Sequence, residues 1–199
     1  MTCRAATSGR FGGSAGLQPC EVNILKCRAS APEKNMTELA PQEVRTFFIT
    51  IVTWQRRLIF QSEPHVSLLL DTISHYQAQN KFQIHEFVIM PNHLHLLLTP
   101  AYEVSLEKAV QLIKGGFSFR VKHEMKSNLE IWQTSFTEHR VRDHEDFQQH
   151  VTYIRENPVR AGLAWTPDVY PYGSTCARLE IFSPPPWLKP PESSARSQG

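Results

Sequence analysis

An apolar run in the middle of the chain constrains its fold more than any other segment. Residues 84–98 form two apolar blocks interrupted by a Pro-Asn pair, which predicts either two strands or one strand kinked at that pair. Side chains alternate between the two faces of a strand. Leu94 and Leu96 are therefore expected to face the core. His93 and His95 then share the opposite face.

Two neutral imidazoles on one face of a rigid strand provide half of a site for a divalent cation. The same pattern is also typical of a strand whose histidines simply face solvent. A lone His-x-His does not decide between these interpretations, so the rest of the chain has to decide.

The length of 199 residues suits one domain with additional tails. All nine histidines and nearly all aromatic residues fall within residues 41–182, which predicts that this range is the folded domain. Residues 1–40 lack apolar periodicity, and residues 183–199 are rich in Pro and Ser, so both are expected to be disordered. Met36 lies just before the domain, so Met1 and Met36 both stay open as the start.

Composition excludes several classes of protein. The sequence has neither an apolar run of the roughly 18 residues that a membrane span needs nor an apolar signal segment, so a cytoplasmic protein without a membrane partner is expected. The four cysteines lack metal-binding spacing, which argues against a zinc or disulfide framework. Residues 41–165 hold thirteen basic and thirteen acidic residues, so bulk charge gives no argument for nucleic acid.

Apolar periodicity predicts the order strand, helix, strand or strand pair, helix, strand, helix. The predicted elements are a strand within 44–60, a helix from Ser62 to about Asn80, the strands within 84–98, a helix capped by Ser105, a strand within 131–141 and a helix capped by Asp143. The last helix is expected to stop near Asn157, because Pro158 follows. This order is typical of an α+β sandwich of the ferredoxin-like or RRM-like type, with helices on one face of an antiparallel sheet.

The last predicted helix displays three polar side chains side by side. At 100° per residue, His150, Tyr153 and Asn157 fall within about 60° of one another. Taken alone this is a weak signal, because a tyrosine near a helix end usually packs its ring and sends its hydroxyl to water. Together with His93 and His95, however, the set contains a nucleophilic hydroxyl, two imidazole ligands and an amide oxygen.

Three segments together resemble a known family. Residues 89–97, 131–133 and 153–163 look like the REP-associated tyrosine transposases, relatives of the small single-tyrosine transposases of bacterial insertion sequences. The resemblance covers about residues 44–175, and the combination of segments is far more specific than either main motif alone.

The resemblance implies an HUH endonuclease that uses Mg²⁺ or Mn²⁺. His93 and His95 match the metal-binding pair of that family, and Tyr153 matches its nucleophile. Asn157 would complete the metal shell, and His150 would lie next to the ligands without binding the metal itself. The implied reaction is the cleavage and rejoining of single-stranded hairpin DNA from repetitive extragenic palindromes, through a phosphotyrosine intermediate.

The oligomeric state is not decided by the sequence. Relatives in mobile elements act as dimers that donate the tyrosine across the interface, whereas members of the REP-associated group are able to work as monomers. A monomer and a homodimer, with Tyr153 acting in cis or in trans, therefore both stay open.

A locally basic segment offers candidate DNA contacts. Lys114, Arg120 and Lys122 fall within residues 108–126, with Phe117 between them. Such a segment is usually a solvated helix face. Beside a site for DNA it would instead position the strand through phosphate contacts, and Phe117 would either stack on a base or belong to the core.

Two other functions are alternatives to the nicking and joining enzyme. The first is a sequence-specific DNA-binding protein on the same fold that no longer uses its chemistry, and the complete set of His93, His95 and Tyr153 counts against it. The second is a zinc metallohydrolase, which would require further His or Asp ligands on other strands.

Overall fold

The secondary structure follows the predicted order. The computed structural model describes residues 45–176 and 179–188; the predicted extension 1–40 lies outside these ranges. The described strands and long helices are β1 (Phe47–Val52), α1 (Glu63–Ala78), β2 (Phe82–Met90), β3 (His93–Pro100), α2 (Leu106–Glu124), β4 (Thr137–Arg140) and α3 (His144–Arg160). No helix in the described ranges is both long and apolar enough to cross a bilayer.

The four strands form one antiparallel sheet in the order β2-β3-β1-β4. This order confirms the ferredoxin-like α+β prediction. The Pro-Asn pair at residues 91–92 is the turn of a hairpin between β2 and β3, so the run is two strands and not one kinked strand. Both histidines consequently lie on β3, which is a central strand.

Helices cover both faces of the sheet. The layer of α1 and α2 covers one face, where Leu94 and Leu96 are fully buried. The third helix packs on the other face, where Ile154 joins Val88 and Leu97 in a second apolar cluster. The sequence predicts helices on one face of the sheet only, which differs from the structure. The reason for the difference lies in β2, whose residues are almost all buried, so that both of its faces require cover.

The third helix runs one turn further than predicted. It continues through Asn157 and Pro158 to Arg160, so the expected stop near Asn157 is wrong. The last turn keeps a backbone bond from Ala161 N–H to Asn157 O at 3.0 Å, and Pro158 is buried. Gly162, two residues beyond the end of the helix, has a φ of +69°, the left-handed conformation that favours glycine after a helix.

Part of the predicted C-terminal tail packs on the domain. Leu188 is fully buried in the same apolar cluster as α3. Its carbonyl accepts a hydrogen bond from His144 Nδ1 at 2.6 Å. Trp187 and Leu188 supply the apolar surface for this contact, whereas residues 189–199 of the predicted tail lie outside the described ranges.

Gly116 allows α1 and α2 to approach closely. A Cβ atom at this position would lie 2.8 Å from Tyr76 Cε2 and 3.0 Å from Thr72 Cγ2. A Cβ atom at the neighbouring Gly115 would meet nothing within 4 Å. Two adjacent glycines of one helix therefore differ in packing alone.

We expect Gly115→Ala to raise the free energy of unfolding by about 0.5–1 kcal/mol, because alanine is the better helix former. Gly116→Ala has the same propensity gain, but its overlap with α1 costs about 1–3 kcal/mol, so its net effect is a loss. Urea denaturation of both variants measures the difference. Equal stabilisation by the two substitutions would contradict the close helix contact.

Candidate active site

The two histidines of β3 lie side by side on the face that carries α3. Their ring centroids are 4.8 Å apart. His95 is buried, whereas His93, at the start of the strand, is half-buried. The alternation predicted from the sequence is thus confirmed, since the leucines between and after them lie in the other apolar cluster.

Hydrogen bonds orient both imidazole rings through Nδ1. His95 Nδ1 lies 2.8 Å from the hydroxyl of Thr50, its partner across the strands β1 and β3. His93 Nδ1 lies 2.6 Å from Asn92 Oδ1. An amide oxygen only accepts, so His93 Nδ1 carries the hydrogen and Nε2 keeps a lone pair. This is the arrangement by which proteins orient histidines that bind metals.

Burial keeps both rings neutral. Burial, followed by the nearby His93, lowers the pKa of His95 to about 3. Burial, and then the charge of Arg56, also lowers the pKa of His93. Neutral imidazoles at physiological pH are the form that can donate an electron pair to a cation.

Tyr153 of α3 stands next to this pair. Its ring centroid is 5.4 Å from that of His95, and the side chain is 38% exposed, so the tyrosine is open to solvent. The Cζ atom of Arg160, about two turns further along the helix, lies 5.8 Å from the centre of the Tyr153 ring. The structure therefore brings a hydroxyl, two imidazoles and a cationic side chain together.

Phe48 is the contact that joins these groups, and the sequence analysis did not single it out. Its ring stacks on His95 at 5.3 Å and on His150 at 4.4 Å, and it meets Tyr153 edge-on at 5.7 Å. Strand alternation predicts that Phe48 and Thr50 lie on the face of β1 opposite to Ile49. It does not predict which strand pairs with β1, and the contacts of Phe48 depend on that pairing.

An ion pair ties α3 to the sheet near the tyrosine. Arg155 Nη2 lies 2.9 Å from Glu86 Oε2, and the carboxylate is buried in β2. Burial raises the pKa of Glu86, and Arg155 opposes that rise. The Arg155 side chain is half exposed, so solvent screens the attraction, but the ion pair links the helix that carries Tyr153 to β2.

Asn157 and His150 occupy the positions on α3 that helical spacing gave them. Asn157 is half-buried and follows Tyr153 by one turn. His150 precedes Tyr153 by almost one turn and is separated from His95 by the ring of Phe48. The role of Asn157 as a metal ligand and the supporting role of His150 stay predictions.

Phe117 belongs to the core. It is fully buried between Phe60 and Trp132, with ring centroids 5.8 and 5.6 Å away. Stacking of Phe117 on a base is therefore excluded in this structure, because its ring lies on the buried face of α2. Phe119, which is 62% exposed, is the ring that α2 presents to solvent.

The basic side chains of α2 differ in availability. Lys114 Nζ donates to the carbonyl of Gln133 at 2.6 Å, and Arg120 pairs with Glu124 at 2.7 Å. Lys122 is exposed. All three residues belong to the helix layer on the face opposite to the histidines, so their contact with DNA stays a prediction.

A family model and several known proteins match this chain. The model described as "Transposase IS200 like" matches residues 45–157. The REP-associated tyrosine transposase of Escherichia coli (strain K12) is 28% identical over 130 residues, which cover 65% of this chain and 75% of that protein. A putative REP-associated tyrosine transposase of Haemophilus influenzae is 28% identical over 141 residues, covering 64% of this chain and 78% of that protein.

A solved structure agrees with the sequence matches. The structure of a REP-associated tyrosine transposase bound to a REP hairpin is similar with a TM-score of 0.58 and 26% identity, covering 67% of this chain and 78% of that one. The family model spans more than half of the chain, including both histidines and Tyr153. The protein therefore belongs to the IS200-like transposase family, and its function is that of a DNA transposase.

Proposed function

We propose that this transposase cleaves and rejoins single-stranded DNA through a covalent bond to Tyr153. One observation carries the proposal, namely the convergence of Tyr153 of α3 with His93 and His95 of β3. The ring centroids of Tyr153 and His95 are 5.4 Å apart, and those of the two histidines are 4.8 Å apart. A nucleophile beside two neutral metal-binding side chains is the minimum that metal-assisted phosphoryl transfer requires.

The donor set fits a divalent cation. His93 and His95 would hold it through Nε2, because their hydrogen bonds use Nδ1, and the Asn157 amide oxygen would be the third ligand. When bound there, Mg²⁺ or Mn²⁺ polarises a non-bridging phosphate oxygen and offsets the charge that develops on it. Oxygen donors suit Mg²⁺ better than imidazole, so the affinity is expected to be weak without the DNA phosphate.

The side chain of Tyr153 supplies the covalent step. Its hydroxyl oxygen forms a bond to phosphorus while the bond from phosphorus to the 3′ oxygen breaks, and that oxygen leaves as a 3′-OH. The phosphotyrosine retains the energy of the broken bond, so the same 3′-OH can attack it again and no ATP is needed. Arg160, whose guanidinium pairs with the Glu156 carboxylate, lies close to the ring at which the phosphate would arrive.

The contacts within one chain support action of Tyr153 in cis. The tyrosine, both histidines and Phe48 already touch one another in a single copy. A monomer therefore has the complete set, and a homodimer is not required to assemble it. Mixing two variants that are each inactive alone tests whether Tyr153 acts in cis, because only a trans arrangement would restore activity.

The proposed substrate is a DNA hairpin of the repetitive extragenic palindrome type. The similar solved protein is bound to a REP hairpin, and the E. coli and H. influenzae relatives are named for the same repeats. For this chain, Lys122 is the best-exposed basic candidate of α2, while Lys114 and Arg120 would have to leave their internal partners to reach a phosphate.

Tyr153→Phe is expected to fold and to bind hairpin DNA but to form no covalent adduct. The variant keeps the ring that contacts Phe48 and His95 and removes only the reacting oxygen. Labelled single-stranded hairpin incubated with Mn²⁺ and run on a denaturing gel measures the adduct. Tyr102→Phe, at an exposed tyrosine outside the site, is the matched control and should react like the parent protein. An adduct in Tyr153→Phe, or one mapped to another tyrosine, would overturn the proposal.

His93→Ala and His95→Ala should each lower metal-dependent cleavage by at least about 100-fold, because each removes a ligand. Hairpin binding, measured by a native gel shift, should change little. His123→Ala on the exposed surface of α2 is the control and should stay active. Cleavage that survives both site substitutions, or that resists excess EDTA, would remove the cation from the mechanism.

The metal-free protein is expected to lose stability as the pH falls below 6.5. The folded-state pKa of His95, about 3, lies below its unfolded value, so the unfolded chain takes up the proton first between these limits. This single group contributes about 1 kcal/mol of lost stability per pH unit in that window. Urea denaturation in EDTA at several pH values measures the slope, which should be shallower for His95→Gln. An unchanged slope in that variant would contradict a buried neutral His95.

A further inference from the structure

A second cluster of side chains that could bind a metal ion lies next to Phe48. His139 of β4 faces Asp146 and His150 of α3, which are one helical turn apart. One ligand atom from each of the three residues lies within 4.8 Å of the others. Asp146 is buried and the His150 side chain nearly so, which makes the cluster more than a chance grouping on the surface.

Distances around the Asp146 carboxylate match those of a tetrahedral metal site. Oδ1 lies 3.1 Å from His139 Nε2 and 3.3 Å from His150 Nε2. Metal-ligand bonds of about 2.0–2.1 Å imply about 3.3 Å between neighbouring ligands of a tetrahedron. Two of the three ligand-to-ligand distances therefore already fit. The third distance, between the two histidine nitrogens, lies within 4.8 Å and would have to shorten by rotation of His139, the most exposed of the three side chains.

The surroundings hold the ligands in place. Asp146 Oδ2 accepts a hydrogen bond from the backbone N–H of Arg142 at 3.0 Å, which fixes the carboxylate with both oxygens close to His139 Nε2, at 2.9 and 3.1 Å. The ring of His150 stacks on Phe48 with an angle of 11° between the planes. Such supporting contacts are typical of metal sites, where they fix the orientation of each ligand.

The charge states are those that a cation requires. Burial alone would raise the pKa of Asp146, but hydrogen bonds from His139 and Arg142 bring it below its usual value. Burial lowers the pKa of His150 more than Asp146 raises it. An ionised carboxylate therefore stands beside a neutral imidazole near pH 7.

We propose that His139, Asp146 and His150 bind a first-row transition cation of the Zn²⁺ type, at a site separate from the histidines of β3. Two imidazoles and one carboxylate suit Zn²⁺, Co²⁺ or Ni²⁺ better than Mg²⁺. The ring of Phe48 stands between the two centres, since it stacks on His95 as well as on His150. The site goes beyond the proposed function and does not depend on it.

A cation at this site would join β4 to the helix of the nucleophile. His150 lies three residues before Tyr153 on α3, whereas His139 belongs to an edge strand of four residues. Coordination would hold the short strand and the first turns of α3 together. The competing explanation is a hydrogen-bond network around Asp146 that binds no metal, and the experiment distinguishes the two.

The test is a Co²⁺ titration of the EDTA-stripped full chain, without DNA, followed by visible absorption and by competition with Zn²⁺. We expect one tightly bound equivalent that Zn²⁺ displaces and excess Mg²⁺ does not, together with a higher melting temperature in Zn²⁺. His139→Ala should weaken Co²⁺ binding beyond the roughly 10- to 100-fold that loss of an outer partner costs. Circular dichroism verifies its fold, and His150→Gln is a second, more conservative ligand variant.

The matched control is the double variant His93→Ala, His95→Ala. It should keep the tight Co²⁺ equivalent, because it changes only the other centre. The proposal is overturned if the wild-type chain binds no tight equivalent, if His139→Ala and His150→Gln bind Co²⁺ like the wild type, or if the signal disappears in the double variant. None of these results depends on DNA cleavage, so failure here and failure of the proposed function are distinguishable.

Discussion

The pairing of β1 with β3 is the constraint on which the site depends. The register places Thr50 opposite His95 and Ile49 opposite Leu96. A slip of one residue would turn every side chain of one strand to the other face, so the histidines would enter the apolar layer of α1 and α2. Leu94, Leu96 and Leu98 oppose that slip, because they are fully buried in that layer. The packing of the core thus determines on which face the imidazoles lie.

Much of the site could be predicted because its signals are local. Strand alternation placed His93 and His95 on one face, and helical spacing placed Tyr153 beside Asn157. Phe48 could not be found in this way, since its role depends on strands that are far apart in the sequence. The burial of Phe117 could not be predicted either, because the pattern of a helix that is both basic and apolar does not show which aromatic ring is buried.

The fold was predicted in order and type but not in every boundary. Turn, cap and periodicity signals are properties of short segments, and they gave the elements in the correct order while leaving open whether residues 84–98 form one strand or two. The end of α3 depended on a competition between Pro158 and the packing around it. Pro158 is buried, and Gly162 supplies the left-handed residue that follows the helix. The position of α3 on the second face likewise depended on β2 being apolar on both sides.

The unequal cover of the two sheet faces has a geometric consequence. A helix is about 10 Å wide and strands are about 4.8 Å apart, so one helix covers roughly half of a four-stranded sheet. The third helix contacts β2 and β3, and the residues of β1 on that face, Phe48, Thr50 and Val52, are only half-buried. The opposite side of the same strand is closed, with Ile49 and Ile51 fully buried. The architecture thus leaves the face of β1 beside Tyr153 partly open to solvent, so that a molecule can reach this face without any opening of the hydrophobic core.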